Sequence, residues 1–328
     1  MTDLSVLWSR LPKDKLDEMD LACDLAMGEP DGEWFDVVLH HVAGTGGKRV
    51  RPRFFLALLD LFGAPLDERA IRVGSLVELL HQVSLLHDDV VDDAPRRRSK
   101  ESVNQGWGPK TAILLGDFIM ARILERLAEF ASTEIMCDYA KSSCALARGM
   151  LLEHEARFDI SVTDSLLARI AREKTGSLFR LSAVLAGRLA EVSDEKRELL
   201  SKAGEALGES FQLVDDCLDW TDGKEMGKPT GHDLLEGFVT RPVLSLARIE
   251  SLPGPLPSRH DPFAFRCWAE ESLPLIQERL IETGALAKAN SHATRLLEGA
   301  FDNLQAALPG GGKGVVEGWM GAFLSRVK

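Results

Sequence analysis

The sequence has no run of about 18 apolar residues, so no segment of it reads as a membrane-spanning helix. Its first twenty residues lack an uninterrupted apolar stretch, and no signal peptide is expected. Basic residues are in the minority: 39 Lys and Arg stand against 51 Asp and Glu, a formal net charge of −12. That balance excludes a general nucleic-acid binder, which needs a basic footprint. It leaves room for an anionic small substrate beside a local basic cluster. Cysteine is sparse too. The five cysteines (Cys23, Cys137, Cys144, Cys217 and Cys267) form no CxxC pair, and no histidine cluster sits at zinc-ligand spacing. They read as reduced thiols of a cytoplasmic protein. Alternating β-branched strands with hairpin turn pairs are missing, and no fixed-period repeat is present.

What is there is helix. Segments such as "RPRFFLALLDLFG", "TAILLGDFIMARILERLAEFA" and "SLLARIAREKTGSLFRLSAVLAGRLA" place apolar residues three and four apart. Short breaks such as "GAPLDE" and "DGKEMGKPTGHDLLEGFVTRP" separate them. The pattern predicts an all-α chain, a single domain over residues 1–328, with about ten or more helices wrapped around a central bundle. The Pro-rich stretch at 252–262 reads as a surface loop, and "PGGGKG" near the C-terminus as a linker.

Two acidic clusters interrupt this regularity. In "LHDDVVDDAPRRR" four aspartates fall within six positions, at the end of an apolar run. Pro95 disfavours helix for Ala94, so the acids crowd a last helical turn. There they meet the negative end of the helix dipole. Asp88/Asp92 and Asp89/Asp93 are like-charged i,i+4 pairs, each costing a few tenths of a kcal/mol. In "FQLVDDCLDWTDGK", Asp215, Asp216 and Asp219 repeat the spacing of Asp88, Asp89 and Asp92. On a helix that spacing turns at least two carboxylates the same way. One such cluster is most often a solvated acidic face, or an acidic turn neutralised by Arg96, Arg97 and Arg98. Two clusters of identical spacing, each flanked by basic loops, point to bound cations. Carboxylates are hard oxygen ligands, and Mg²⁺ takes one or two of them together with waters and phosphates.

The basic elements fit an anionic ligand. "GTGGKRVRPRFF" sets Lys48, Arg49 and Arg51 at the start of a helix whose first turn is expected to hold Pro52, a residue favoured at the first helical position. It is not a P-loop, because Arg follows Lys48 and no strand precedes it. A solvated basic turn is the plain alternative. "REKTGSLF" carries Lys174 and Thr175 beside Gly176 inside an apolar helix, where a kink would turn both groups inward. His81 precedes Asp88 by seven residues and so shares nearly its face; a core histidine and a phosphate donor are both open readings.

Taken in order, "GGKRVRP", "ELLHQVSLLHDDVVDDAPRRRSK", "LLGDFIMAR", "KTGSLF", "FQLVDDCLD" and "GKPTGHDLLEG" resemble the trans-prenyltransferases, the polyprenyl diphosphate synthases, from about residue 44 to 245. The resemblance implies an all-α fold with the two aspartate motifs facing across a central cavity, usually in a cytoplasmic homodimer. It implies that an allylic diphosphate ionises, that isopentenyl diphosphate attacks the cation, and that a proton is lost. Asp88, Asp89, Asp92, Asp215, Asp216 and Asp219 then correspond to ligands of Mg²⁺, three ions with substrate bound. Lys48, Arg51 and His81 match an isopentenyl diphosphate site, joined by Arg98. Arg97, Lys174, Thr175 and Gln212 match an allylic diphosphate site.

The chain departs from the family pattern in two places. Arg97-Arg98-Ser99-Lys100-Glu101-Ser102 stands where "RRG-K-P-T" is usual, and Glu236-Gly237-Phe238-Val239-Thr240-Arg241-Pro242 where the family has "EGK-x-T-L-P". A lysine that would touch the allylic diphosphate is thereby Phe238, and Arg241 or Lys228 is the expected substitute. Val83 and Ser84, where the family places bulky residues that cap the product, would not block a chain of about fifteen carbons. The expectation is a product of C20 or longer, with Leu80, Phe118 or Met120 as its floor. A silent partner subunit of such a synthase is the alternative that Phe238 supports. A terpene cyclase would not need "GGKRVRP" or a second full motif, and a helical scaffold leaves the paired spacing unexplained.

Overall fold

Helix follows helix through residues 4–27, 32–44, 46–97, 100–221 and 230–324, the parts of the chain that the computed structural model describes. The order is α1 (Lys13–Leu25), α2 (Glu33–Ala43), α3 (Val50–Phe62), α4 (Glu68–Val91), α5 (Val103–Trp107), α6 (Pro109–Phe130), α7 (Thr133–Ala156) and α8 (Asp164–Ile170). A π-helical turn (Ala171–Gly176) leads into α9 (Ser177–Leu189) and α10 (Asp194–Leu218). Then come α11 (His232–Leu235), α12 (Arg241–Ala247), α13 (Pro262–Glu282), α14 (Ala285–Ala307) and α15 (Lys313–Leu324). Among the described residues, no helix is long and apolar enough to cross a membrane.

Side-chain caps fix several of these starts. Asp67 accepts from the Ala70 N–H at 2.9 Å, Ser102 from Gln105 at 3.1 Å and Asp261 from Ala264 at 2.9 Å. The α3 start meets the expectation on Pro52. Helix begins at Val50, and Pro52 is third, within the first turn where its missing N–H costs nothing. Before it, Arg49 is left-handed (φ 45°) and makes ion pairs to Asp20 and Asp24 of α1.

The core has two parts. In the first, Phe54, Phe55, Leu58 and Leu59 of α3 pack with α4 and with Leu181 and Leu185 of α9. Over Val73, Leu76, Val77, Leu79 and Leu80, α4 is apolar nearly all round, as befits a central helix. Burying each such leucine is worth about 2 kcal/mol. In the second part, Leu213 and Trp220 at the C-terminal end of α10 meet Leu234, Phe265, Trp268 and Ile276. The two aspartate motifs thus hang from the ends of two deeply anchored helices. The sequence shows no strand pattern, yet residues 96–97 (β1) and 100–101 (β2) form a small antiparallel hairpin, pairing Arg97 with Lys100. Two-residue strands are too short to carry a period.

Candidate active site

The end of α4 explains how its acids are held. Asp92 caps the helix, Asp93 follows at φ 49°, and the Ala94 N–H reaches the Asp89 carbonyl at 2.9 Å. With the Asp93 N–H on the Val90 carbonyl, this is a Schellman ending with aspartate in the left-handed position. Aspartate is one of the few residues besides glycine that tolerates it. The hairpin β1–β2 then returns Arg97, whose Nε donates to Asp89 Oδ1 at 2.9 Å. Lys174 Nζ lies 3.4 Å from Asp88 Oδ2 and also donates to Glu153 of α7. Arg157 Nη1, at the end of α7, stands 3.9 Å from Asp92 Oδ1. Each aspartate of the triad faces one cation, and the cations come from three separate elements. This is what makes the crowded acidic turn tolerable.

Burial still leaves its mark. It raises the Asp88 carboxyl to about 6, against the pull of Lys174 and with the push of Glu153 and Asp92. Burial works against charge on Lys174 as well, but Glu153 and Asp88 more than offset it and raise its pKa. Lys174 therefore stays a cation.

Lys174 and Thr175 sit in the π turn. The extra residue of such a turn widens the helix and re-aims its side chains. It is wedged between α7 and α10 where no Cβ fits: one on Gly149 would collide with the Lys174 backbone, and one on Gly208 with Gly176. Lys174 thereby reaches the first motif while its neighbour reaches the second. Thr175 Oγ1 donates to Gln212 Oε1 at 2.8 Å, and Gln212 Nε2 donates to Asp216 Oδ1 at 3.0 Å. Burial pushes Asp216 up to about 7, with Asp215 and Glu153 adding to the rise and the Gln212 bond opposing it. Asp219 accepts the backbone N–H groups of His232 and Asp233, each at 3.1 Å. Asp233 is itself driven well above the carboxylate range, first by burial and then by Asp219 and Asp216.

A cleft opens beside these groups, lined by Glu153, Gln212, Asp216, Phe238 and Arg241 above the apolar Val162, Leu167 and Ile170. Arg51 lies over the Phe179 ring at 5.3 Å, His81 is half-buried on α4, and Lys48 is exposed before α3. Arg98 and Lys228 lie outside the described residues. Arg241, the other expected substitute for a lysine at 238, is buried and donates to Glu209 Oε1 at 2.9 Å, with Asp164 at 3.5 Å and His292 beside it. Its charge is engaged there. Among the residues of this site that escaped the sequence reading are Glu153 and Arg157. Both come from "LLEHEARFD", whose partners lie far off in the chain and whose acids repeat no spacing.

The donors suit Mg²⁺. They are hard carboxylate oxygens, and among the described residues no three acidic, His or Cys side chains converge to hold a metal unaided. An ion here needs further oxygens from water and phosphate, which is how Mg²⁺ is commonly held.

Comparison with known proteins bears on the family and the fold. The sequence model of the polyprenyl synthetase family matches residues 32–252. An all-trans-nonaprenyl-diphosphate synthase (geranyl-diphosphate specific) of Rhodobacter capsulatus is 35% identical over 213 residues, 63% of this chain and 64% of that protein. The matched stretch likewise spans 64% of an octaprenyl diphosphate synthase of Escherichia coli, at 34% identity over 62% of this chain. The crystal structure of a decaprenyl diphosphate synthase from Rhodobacter capsulatus superposes with a TM-score of 0.86 at 25% identity, over 99% of this chain and 100% of that one.

Proposed function

The chain belongs to the polyprenyl synthetase family, and from that premise we propose that it is an Mg²⁺-dependent prenyltransferase. It adds isopentenyl diphosphate to an allylic diphosphate, releases inorganic diphosphate and a proton, and makes an all-trans polyprenyl diphosphate of C20 or longer. One observation carries this reading. Adjacent residues of one π turn touch the two aspartate motifs, Lys174 at Asp88 and Thr175 through Gln212 at Asp216. A single diphosphate between the motifs meets acids on both sides and a fixed cation at their junction.

The chemistry follows from that arrangement. The carboxylates of Asp88, Asp89, Asp92, Asp215, Asp216 and Asp219 would hold Mg²⁺, whose charge would offset the negative charge that grows on the oxygens of the departing diphosphate. Lys174 and Arg97, now paired with Asp88 and Asp89, turn to the same oxygens. Fixed cations of this kind act most strongly where charge develops. Thr175 and Gln212 orient Asp216. The apolar residues below keep water from the allylic cation. Lys48, Arg51, His81 and Arg98 bind the isopentenyl diphosphate in this reading. Buried Val83 and Ser84 leave the chain's path free of bulky rings, in keeping with the long products named for the relatives. A homodimer would cover the exposed Ile113, Leu114 and Leu124 of α6.

A silent partner subunit is the rival reading. The decisive assay incubates the protein with Mg²⁺, labelled isopentenyl diphosphate and separate C5, C10, C15 and C20 allylic primers, then sizes the products. Elongation that EDTA abolishes is the expected result. No incorporation with any primer, from folded protein, would leave the partner reading standing.

A further inference from the structure

Arg157 is a cation with no assigned task, and its setting is built rather than incidental. Its side chain is 12% exposed. The guanidinium carbon lies 5.1 Å from the Phe158 ring centroid and 5.1 Å from the Phe238 ring centroid. Nε donates to the Glu236 carbonyl at 2.7 Å, and Nη2 donates to the Glu236 carboxylate at 3.3 Å. Nη1 faces Asp92 Oδ1 at 3.9 Å, within ion-pair reach and beyond a hydrogen bond. The backbone around it is shaped to hold this pose. Arg157 ends α7, Phe158 turns left-handed at φ 61°, and its N–H donates to the Gly237 carbonyl at 2.8 Å. Gly237 is at φ 99°, and a Cβ there would strike the Phe158 ring, so the 236–238 loop closes on the end of α7 only as glycine.

We propose that Arg157, seated on the Phe238 ring, is a binding residue for the allylic diphosphate, the third cation of the site beside Lys174 and Arg97. The inference rests on the synthase reading and on three parallel contacts: Asp88 with Lys174, Asp89 with Arg97 and Asp92 with Arg157. A diphosphate that draws the first two cations from their aspartates comes within reach of the third. Phe238, which removes one charge from the loop, provides the face on which another is carried. Aromatic faces attract a guanidinium and cost it little solvation. Stacked and tethered at Nε, Arg157 has few rotamers left to lose when a ligand arrives. Arg241 cannot share the task while Glu209 holds it.

The test compares wild type with Arg157→Met, which keeps the aliphatic stem, Arg157→Lys, and the double variant Arg157→Met/Phe238→Lys. Thermal melting checks that each variant folds. Two readouts are taken: kcat and KM for each substrate, and the affinity for inorganic diphosphate with Mg²⁺ by calorimetry. Arg157→Met is expected to raise KM for the allylic substrate and weaken diphosphate binding by about tenfold or more, the size of one lost charge-assisted bond. KM for isopentenyl diphosphate stays within about twofold, a looser change than any lost hydrogen bond would give. Arg157→Lys keeps part of the affinity, and Phe238→Lys restores most of it to the methionine variant. Unchanged diphosphate affinity in Arg157→Met overturns the proposal. So does a loss that falls equally on both substrates and that Phe238→Lys does not repair, the mark of a purely structural clamp. If wild type elongates no primer, the synthase reading falls, while the diphosphate titration still decides for or against Arg157.

Discussion

The ends of α4 and α10 carry the same three-aspartate spacing and solve the same electrostatic problem in different ways. At the end of α4 the charge is met by charge: Lys174, Arg97 and Arg157 each come from elsewhere in the chain to one carboxylate. At the end of α10, Asp219 is met by backbone N–H groups and Asp216 by the Gln212 amide, with burial raising Asp216 to about 7. Identical spacing fixes where oxygens stand, and it says nothing of how they are neutralised before a ligand binds. In the proposed reaction the first motif is therefore a store of cations that a diphosphate can claim. In the second, Asp216 is a weak acid that must give up its proton to take a metal in the proposed reaction.

If both motifs serve one diphosphate, losing either is comparably severe. Asp88→Asn and Asp216→Asn are each expected to lower kcat for elongation by about 10²–10³-fold, the loss typical of removing one anchored transition-state contact. A variant of either motif that keeps more than about a tenth of wild-type kcat would show that the two are not equal partners, since so small a loss amounts to about 1.4 kcal/mol.

Stability separates the motifs where activity does not. Asp216 and Asp88 hold protons in the native state up to about 7 and about 6, whereas an ordinary aspartate releases its own near 3.8. Between those values the folded protein binds more protons than the unfolded chain, so raising the pH removes stability. In EDTA, the share of stability from these two groups falls by about 4 kcal/mol between pH 5 and 8. At this chain length that is several degrees of melting temperature. Asp216→Asn, which cannot ionise, melts higher than wild type at pH 8, and its gain exceeds that of Asp88→Asn. Parallel melting curves for the three proteins across this range would refute the assignment.

Much of this was legible before any fold was seen. The helical periodicity, the paired aspartates, the lysine and threonine beside Gly176 and the order of the motifs are local or regularly spaced features. What the sequence hid is long-range. Arg157 meets Asp92 from 65 positions away and Glu236 from 79. No period links such residues, and an arginine at a helix end is ordinarily a solvated one. The loss of a lysine at 238 did announce that a cation was wanted. Arg241 was the nearest in sequence, but Glu209, on a different helix, had already taken it. The π turn was visible only as a glycine beside two polar residues. Its extra residue depends on Gly149 and Gly208, which lie on other helices and leave room for it.

The smallest expected effect probes the join between the two motifs. Thr175→Val keeps the shape of the side chain and removes the hydroxyl that donates to Gln212 Oε1. That leaves a partly buried acceptor without its partner, at a cost of about 1 kcal/mol. Lys174 and Asp88 are untouched, so the first motif keeps its cations. The loss falls instead on Asp216, whose orientation depends on Gln212 being held. Affinity for inorganic diphosphate with Mg²⁺ should drop by about fivefold, as about 1 kcal/mol requires. In Asp216→Asn the same substitution should matter less, because the group it positions no longer offers a charged oxygen. A double-mutant cycle measures this as a coupling between Thr175 and Asp216 of at least about 0.5 kcal/mol. The same cycle run against Asp89→Asn should give coupling near zero, since Asp89 is held by Arg97 and shares no partner with Thr175. Equal coupling to both would mean that the π turn acts on the site as a whole, and that the contrast between the two motifs ends once ligand is bound.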